Sequence, residues 1–241
     1  MEIKQKQPPA GGGGGVPSTG TVDIGAAFSF LTKDPQWVQK AGMMGLITLI
    51  PIVGYVVLLG WCREIFERVR AGEDTLPSLD FGKQLEKGWA PFLAVFSVGF
   101  GFGALIFVLQ LFTLPFALIG EATRGTGIET IAGLIMGLIG MLVGLLAMVG
   151  ALGLNVAMPE LIRRGFTGES FPIASPKLSI AAIKANSGAY IMVVLGAIVF
   201  NMLGSVGVMA CYVGMFVTIP LGLVGMTHMI AQWQKLVDEQ A

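Results

Sequence analysis

The stretch Ala185–Gln234 reads ANSGAYIMVVLGAIVFNMLGSVGVMACYVGMFVTIPLGLVGMTHMIAQWQ, and none of its 50 residues is Asp, Glu, Lys or Arg. An α-helix crosses the roughly 30 Å core of a bilayer with about 20 apolar residues, because each residue rises about 1.5 Å. This stretch therefore has room for two crossings. Helices buried in soluble proteins rarely stay uncharged beyond about 14 residues, so a soluble fold explains the stretch poorly.

Three further stretches lack charged residues, and each has room for one crossing: Ala41–Cys62, Gly88–Gly120 and Thr130–Pro159, of 22, 33 and 30 residues. Over the whole chain 12% of residues are charged and 54% are hydrophobic, against roughly 25% charged in ordinary soluble domains. The sequence therefore predicts an all-α fold, a polytopic transmembrane helical bundle of about five membrane segments with amphipathic interfacial helices. The segments are expected near 37–62, 89–119, 129–158, 188–205 and 207–232.

The N-terminal residues 1–22 are rich in glycine and proline and include five consecutive glycines. Such a segment buries too little apolar surface to offset the entropy lost on ordering. We therefore predict a disordered tail over 1–22 and a single membrane domain over 23–241. Order is expected to begin with an interfacial helix, since Ile24, Phe28 and Leu31 share one helical face.

Two prolines interrupt predicted membrane helices, Pro51 in the first segment and Pro220 in the last. A proline inside a helix removes one backbone hydrogen bond and clashes with the preceding turn. At Pro51 two shapes are open: one kinked crossing, or two half-helices that form a re-entrant hairpin. Broken helices line substrate sites in transporters, although a kink tolerated for packing is the commoner explanation.

The distribution of Lys and Arg assigns sides to the loops, because short loops rich in these residues stay cytoplasmic. The predicted loops 63–88 and 159–187 carry five and four, and the loop around Arg124 carries one. We therefore expect a multi-pass protein of the cell inner (cytoplasmic) membrane with both long loops in the cytoplasm. A hairpin at Pro51 would keep the N-terminal tail cytoplasmic, whereas a single crossing would export it.

The two long loops resemble one another. In the first, Gly72-Glu73-Asp74 leads into Leu76-Pro77, and in the second, Gly168-Glu169-Ser170 leads into Phe171-Pro172. In each loop a basic cluster precedes this turn and an amphipathic stretch follows it. The likeness suggests a duplicated helix–loop–helix unit in parallel orientation.

A few polar side chains inside the uncharged stretches are the candidate site residues: Gln110, Asn155, Asn201 and His228. An ionisable or polar residue at membrane depth is costly and points to function unless it serves packing. Asn155 and Asn201 also fit hydrogen bonds between helices, worth about 1 kcal/mol each. His228 lies close to Gln232 and Trp233 in sequence, where an interfacial histidine extends its ring to the headgroups.

A row of glycines follows one face of the third segment at three- and four-residue spacing: Gly133, Gly137, Gly140 and Gly144. Small residues let helices approach closely in lipid, where no hydrophobic effect drives their association. The row predicts a helix-packing surface. The sequence leaves open whether the contact is within one protomer or between protomers.

No enzymatic motif is present, so we expect the protein not to be an enzyme. The sequence has no Gly-x-Ser-x-Gly, His-Glu-x-x-His, paired-cysteine or phosphate-loop motif, and catalysis needs several groups to converge. One histidine and two cysteines, Cys62 and Cys211, predict no metal site, and no cofactor or catalytic residue is expected. A net charge of zero without a basic run argues against nucleic acid. The expected partners are the lipid bilayer and, within it, a second copy or another membrane protein.

Several blocks of the sequence resemble an uncharacterised prokaryotic membrane-protein family catalogued as domain of unknown function 4013. The blocks are Asp23–Phe30, Asp34–Trp37, Leu49–Gly54, Arg63–Pro77, Asn186–Tyr190 and Cys211–Gln232. The second loop departs from the family's pattern at Ser170-Phe171-Pro172. The resemblance implies a bacterial or archaeal inner-membrane protein, and it implies no function.

The leading functional hypothesis is a non-enzymatic membrane scaffold or accessory subunit. A conduit for polar solutes needs a polar lining, and the uncharged stretches of this chain hold few polar side chains. The alternative is a small transporter or channel with a site framed by the helix breaks at Pro51 and Pro220. That alternative requires Gln110, Asn155 and Asn201 to converge at mid-membrane depth.

Overall fold

The computed structural model describes residues 21–168, 176–209 and 214–239, so the predicted tail 1–22 lies outside it except for its last two residues. Within these ranges the chain forms nine α-helices and no strand, which confirms the predicted all-α helical bundle. The helices are α1 (Ile24–Lys33), α2 (Trp37–Ile47), α3 (Val53–Ala71), α4 (Phe81–Leu111), α5 (Leu114–Ala122), α6 (Ile128–Thr167), α7 (Pro176–Ala185), α8 (Ser187–Met209) and α9 (Met215–Asp238).

The first helix, α1, packs against α9. Asp23 caps its start, because the carboxylate accepts a hydrogen bond from Ala26 N at 3.1 Å. The interfacial position predicted for this helix stays a prediction. Leu31 is buried together with Phe30, whereas Phe28 is 40% exposed, because the helix is rotated so that the Phe30 side meets α9.

The predicted first segment is divided between α2 and α3. Ile52, in the turn between them, has φ 65° and ψ −62°, and Val53 N donates to Pro51 O at 2.7 Å. These dihedral angles and this hydrogen bond define a γ-turn, which reverses the chain. A Cβ placed on Gly54 would overlap the carbonyl oxygen of Ile47, so the start of α3 lies against the end of α2. Of the two shapes left open at Pro51, the structure has the helical hairpin.

Helix α3 lies at the centre of the fold, between α4 and α9. Twelve of its 19 residues are buried. A Cβ on Gly60 would overlap the backbone of Gln84, and a Cβ on Gly88 would overlap the carbonyl oxygen of Val56. These two glycines therefore bring α3 and α4 into backbone contact. The shared core extends to α1, α8 and α9 and includes Phe30, Trp61, Phe66, Phe200, Met229 and Trp233.

Helices α4, α5 and α6 form a long arm that leaves this core. Helix α4 has 31 residues and α6 has 40. Near the core the two helices touch at Gly165, where a Cβ would lie 2.6 Å from Pro91 Cα. Farther out the arm is covered by exposed apolar side chains, such as Phe100 at 66% and Leu134 at 70% exposure. A surface of this kind is stable in lipid or against another membrane protein.

Four segments of the described chain are long and apolar enough to cross a membrane: Phe81–Ala122, Ile128–Thr167, Ser187–Gly207 and Phe216–Asp238. They overlap the last four predicted segments, and neither helix of the α2–α3 hairpin is among them. The protein is therefore a membrane protein by length and composition of its helices. The identity of the membrane and the side that each loop faces stay predictions.

Candidate functional site

A buried polar cluster surrounds Glu160, near the C-terminal end of α6. Arg163 donates to both oxygens of the Glu160 carboxylate, from Nε to Oε2 at 2.7 Å and from Nη2 to Oε1 at 2.9 Å. Ser179 Oγ of α7 and Trp233 Nε1 of α9 donate to the same carboxylate at 3.1 and 3.3 Å. Arg164 Nε approaches it at 3.4 Å. One carboxylate therefore joins α6, α7 and α9.

The cluster continues along α9 to the end of α3. Arg163 Nη1 donates to Gln234 Oε1 at 2.5 Å, and Gln234 Nε2 donates to Asp238 Oδ1 at 2.6 Å. Asp238 Oδ2 in turn pairs with Arg70 at 2.6 Å. We call this set the Glu160 network: Glu160, Arg163, Arg164, Ser179, Trp233, Gln234, Asp238 and Arg70.

The Glu160 network holds helices in place rather than presenting a reactive group. Glu160, Arg163 and Arg164 are 3%, 3% and 1% exposed. Burial of charges is costly, and paired geometry with additional hydrogen bonds offsets the cost. The carboxylate meets this condition through donors from three helices, which leaves it no face open to a substrate.

A second buried glutamate, Glu64, lies near the C-terminal half of α3. Its carboxylate accepts a hydrogen bond from Gln84 Nε2 at 3.3 Å and pairs with Lys83 at 2.5 Å. Lys87 lies 3.8 Å away. Gln84 is fully buried, and its Nε2 also donates to the Ser78 carbonyl at 3.0 Å. The cluster joins α3 to the first turns of α4.

The two glutamates occupy equivalent positions of the duplicated unit. The residues that lie 96 positions apart are Glu64 and Glu160, Arg68 and Arg164, and Gly72 and Gly168. Both glycines end their helices in the left-handed conformation, with φ of 83° and 71°.

After the loops the two units are 95 positions apart, since α4 begins at Phe81 and α7 at Pro176. Gln84 and Ser179, which share this offset, each donate to the glutamate of their own unit. The geometry supports the duplication suggested by the loops.

The predicted polar positions do not come together. Gln110, Asn155 and Asn201 are all exposed on the surface of the chain, and Asn155 Nδ2 donates to the Ala151 carbonyl of its own helix at 2.9 Å. Helices α4 and α6 are antiparallel, and Phe102 lies opposite Gly150. If this pairing of α4 with α6 is extended along both helices, Gln110 and Asn155 lie roughly 15–20 Å apart along the helix axis.

Asn201 is also distant from Asn155. Tyr190 OH of α8 donates to the Val156 carbonyl at 2.7 Å, which fixes the level of α8 beside α6. Asn201 follows Tyr190 by 11 residues, which is about 16 Å at 1.5 Å per residue. Asn155 therefore lies at a different depth from Gln110 and from Asn201, and the three amides do not converge at one depth.

His228, the fourth predicted position, is 5% exposed and contacts α1. Its ring centroid lies 4.8 Å from that of Phe30, and its Nδ1 lies 3.0 Å from Gln232 Nε2. Gln232 itself holds the backbone of Asp23 through bonds of 2.7 and 3.0 Å. His228 thus belongs to the contact between α1 and α9.

No cluster of three His, Cys, Asp or Glu side chains that could hold a metal ion occurs in the described part of the chain.

Pro220 lies inside α9, which is continuous from Met215 to Asp238, so the helix break predicted at this proline is not seen. A groove between α8 and α9 lies beside Pro220. It has a volume of about 220 Å³ and is lined by Phe200, Asn201, Gly204, Ser205, Ile219, Gly222 and Leu223. Thr218 Oγ1 donates to the Gly204 carbonyl at 2.9 Å near this proline. Pro51 lies in the turn of the α2–α3 hairpin and does not line the groove.

Comparison with known families gives a match over most of the chain. The family model described as "Protein of unknown function (DUF4013)" matches residues 43–213. The chain belongs to the DUF4013 family. This confirms the resemblance seen in the sequence. No curated protein and no solved structure matches the chain.

The matched range of this DUF4013 protein covers the turn of the hairpin, the long arm and both buried glutamates. Helix α9 follows the matched range. Trp233, which donates to the Glu160 carboxylate, and Gln234, which accepts from Arg163, therefore lie outside the matched range, although Glu160 and Arg163 lie inside it.

The predicted glycine row of the DUF4013 chain makes no contact within the described protomer. A Cβ placed on Gly133, Gly137, Gly140 or Gly144 meets nothing within 4 Å. Glycines that do permit close packing lie elsewhere. A Cβ on Gly45 would overlap the carbonyl oxygen of Phe216, and one on Gly222 would lie 2.5 Å from that of Phe200. The packing role of the row stays a prediction, and a contact within the described protomer is not seen.

Sequence reasoning missed the Glu160 network of this DUF4013 chain. Arg163 and Arg164 were interpreted as part of a basic cytoplasmic loop, although they are buried. The available signal was the repeated Glu-x-x-x-Arg pattern, Glu64 to Arg68 and Glu160 to Arg164. In each loop this pattern precedes the glycine that ends the helix.

Proposed function

We propose that this protein is a non-enzymatic integral component of the inner (cytoplasmic) membrane that acts as a scaffold or accessory subunit. In this proposal the loops 63–88 and 159–187 face the cytoplasm. One observation carries the functional part: Gln110, Asn155 and Asn201 are exposed, and Asn155 lies at a different depth from the other two. A site for polar solutes needs several polar groups that converge, and these three amides do not.

The long arm supplies the surface that a scaffold needs. Its exposed apolar side chains and its glycine row have no partner within the described protomer. Small residues on such a helix allow another membrane helix to approach closely. The arm therefore fits another membrane protein within the lipid bilayer better than it fits a soluble partner or nucleic acid.

Native mass spectrometry of the protein, extracted from its own membrane into lipid nanodiscs, tests this proposal. The expected result is a second protein at fixed stoichiometry. A lone chain or a homo-oligomer, especially one that carries a bound small molecule, would contradict the accessory-subunit role.

A triple alanine variant of the separated amides gives a second test. The variant Gln110→Ala, Asn155→Ala, Asn201→Ala is expected to retain the complex and to fold like the parent protein, because the three side chains are exposed. Loss of function with the complex intact would argue for a conduit.

A small transporter or channel is the second candidate, and the groove beside Pro220 is the observation that favours it. Asn201 and Ser205 place polar groups in this groove, and the substrate sites of transporters lie between membrane helices. Flux of solutes into proteoliposomes, lost in an Asn201→Ala, Ser205→Ala double variant, would establish this role. No flux is expected if the protein is a scaffold.

A further inference from the structure

The tip of the α2–α3 hairpin is an uncharged and apolar surface. Its exposed side chains are Leu46 at 58%, Leu49 at 58%, Ile50 at 48%, Ile52 at 59% and Tyr55 at 51% exposure. No charged residue occurs between Lys40 and Arg63. Apolar surface gains about 25 cal/mol per Å² when it leaves water, so this tip is poorly suited to an aqueous phase.

The exit of the hairpin lies at the C-terminal end of α9, and the start of α1, the helix that precedes the hairpin, lies near the same end. Arg70, at the end of α3, pairs with Asp238 at 2.6 Å. Asp23, which precedes α1 and α2, exchanges hydrogen bonds with Gln232. The tip lies at the opposite end of α9, because Gly45 packs directly on the backbone of Phe216.

The entry of the hairpin also lies beside the loop that follows its exit. Lys33 pairs with Asp74 of that loop at 2.6 Å, and Lys40 Nζ donates to the Leu76 carbonyl at 2.9 Å. The chain before α2 and the chain after α3 therefore share one side of the molecule.

The uncharged part of each hairpin helix is too short to cross a bilayer. Pro51 follows Lys40 by 11 positions, and Arg63 follows Pro51 by 12 positions. At 1.5 Å per residue these distances are about 17 and 18 Å, against a core of roughly 30 Å. The tip is also continuous with a candidate membrane span, since Phe216 begins the span Phe216–Asp238.

We propose that the α2–α3 hairpin is re-entrant: it enters and leaves the bilayer on one face, and its tip lies among the lipid acyl chains. Backbone at that depth has to form its hydrogen bonds within the protein, and in the turn Leu49, Ile50, Val53 and Gly54 donate their N–H groups to carbonyls of the same hairpin. It follows that the start of α1, the α3–α4 loop and the C-terminal end of α9 lie on the same side of the membrane.

Single cysteines in a Cys62→Ala, Cys211→Ala background test the proposal with a membrane-impermeant maleimide. Thr32→Cys and Thr75→Cys report on the two ends of the hairpin, and Thr126→Cys reports on the turn between α5 and α6. All three positions are exposed. In intact and then permeabilised cells, Thr32→Cys and Thr75→Cys are expected to label together, and Thr126→Cys is expected to label in the opposite condition.

A spin label at the tip tests the lipid contact separately. At Ile52→Cys, reconstituted in phosphatidylcholine–phosphatidylglycerol vesicles, we expect collisions with oxygen to exceed those with a water-soluble nickel chelate. The reverse is expected at Thr75→Cys, the matched aqueous control. Leu49→Cys provides a second tip position if Ile52→Cys lowers the yield of folded protein.

Two results would overturn the proposal. Labelling of Thr32→Cys together with Thr126→Cys would show that the first segment crosses the membrane once. Nickel collisions at both tip positions as frequent as those at Thr75→Cys would place the tip in water.

Discussion

Glu160 accepts hydrogen bonds or ion pairs from four side chains on three helices: Arg163, Arg164, Ser179 and Trp233. Glu160→Gln keeps the shape of the side chain and removes its negative charge. The positive charges of the buried Arg163 and Arg164 are then no longer balanced by a carboxylate. Breaking a buried ion pair in this way costs about 3–5 kcal/mol. We expect Glu160→Gln to lower the free energy of unfolding by this amount, measured by denaturant unfolding in detergent micelles.

Glu121→Gln is the matched control for Glu160→Gln. Glu121 pairs with Arg124 at 2.9 Å, and their side chains are 66% and 75% exposed. An ion pair this exposed contributes about 0–1 kcal/mol. Equal losses in the two variants would show that the burial of the Glu160 network adds nothing to stability.

Asp34, between α1 and α2, makes stability depend on pH. Burial raises the pKa of its carboxyl, but the hydrogen bond and charge of Lys40 and the bond from Gln36 N outweigh burial and leave the pKa below its usual value. The folded pKa is therefore lower than the unfolded one. The stabilisation is present above the unfolded pKa of about 3.9 and is lost as the pH falls through the folded pKa.

Asp34→Asn isolates this dependence. We expect the melting temperature of the parent protein to fall more than that of Asp34→Asn between pH 5 and pH 3, because the variant has no carboxylate to protonate. Asp80→Asn is a suitable control, since Asp80 is an exposed helix cap. Parallel melting curves for the parent protein and Asp34→Asn would refute the role assigned to Asp34.

The sequence identified polar residues by their rarity, but it could not identify their partners. Glu160 is 73 residues from Trp233 and 19 from Ser179, and nothing in the local sequence brings these groups together. Gln110 and Asn155 were noticed because they interrupt apolar runs. In the structure both side chains face outward. Helices α4 and α6 are apolar on nearly all sides, so their sequences do not indicate which face points toward the neighbouring helix.

At the scale of elements, the turn at Pro51 contains strained backbone. Ile52 is the one residue other than glycine with positive φ in the described chain, a conformation that costs about 1–3 kcal/mol. Glycine adopts it without a steric penalty. Ile52→Gly loses an exposed apolar side chain and relieves this strain.

Ile50→Gly is the matched variant, because it removes a similar exposed side chain from the same turn without relieving a positive φ. We expect Ile52→Gly to be more stable than Ile50→Gly by about 1–2 kcal/mol, measured by thermal unfolding in nanodiscs. If Ile52→Gly is the less stable of the two, the γ-turn is not strained.

The lengths of the stretches without charged residues predicted the membrane helices well. The spacing of glycines predicted the contacts between helices poorly. The four long spans follow from charge-free runs because the bilayer sets their length. The glycines that permit backbone contact, such as Gly60 and Gly88, are single residues with no repeat. The conspicuous row from Gly133 to Gly144 has no neighbour within the described protomer, because α6 extends beyond the helices of the core.

At the scale of the whole molecule, the two duplicated units depend on each other through α9. This helix follows the second unit in sequence, yet it packs against α1, α2 and α3 of the first half. Phe216 packs on Gly45, the His228 ring contacts Phe30, and Asp238 pairs with Arg70. The second half alone would therefore lose these contacts and expose the surface of α9 that the first half covers.

A split of the chain after Thr126, in the exposed turn between α5 and α6, tests this dependence. We expect fragment 127–241 to be degraded when expressed alone and to co-purify with a tagged fragment 1–126 when both are expressed, with immunoblotting as the measurement.

Gly45→Leu in the first fragment should abolish co-purification, because the leucine side chain would collide with the Phe216 backbone. Gly99→Leu should have no effect, because a Cβ at that position meets nothing within 4 Å. Stable accumulation of 127–241 without its partner would show instead that the second unit folds independently, and that α9 needs no support from the first half.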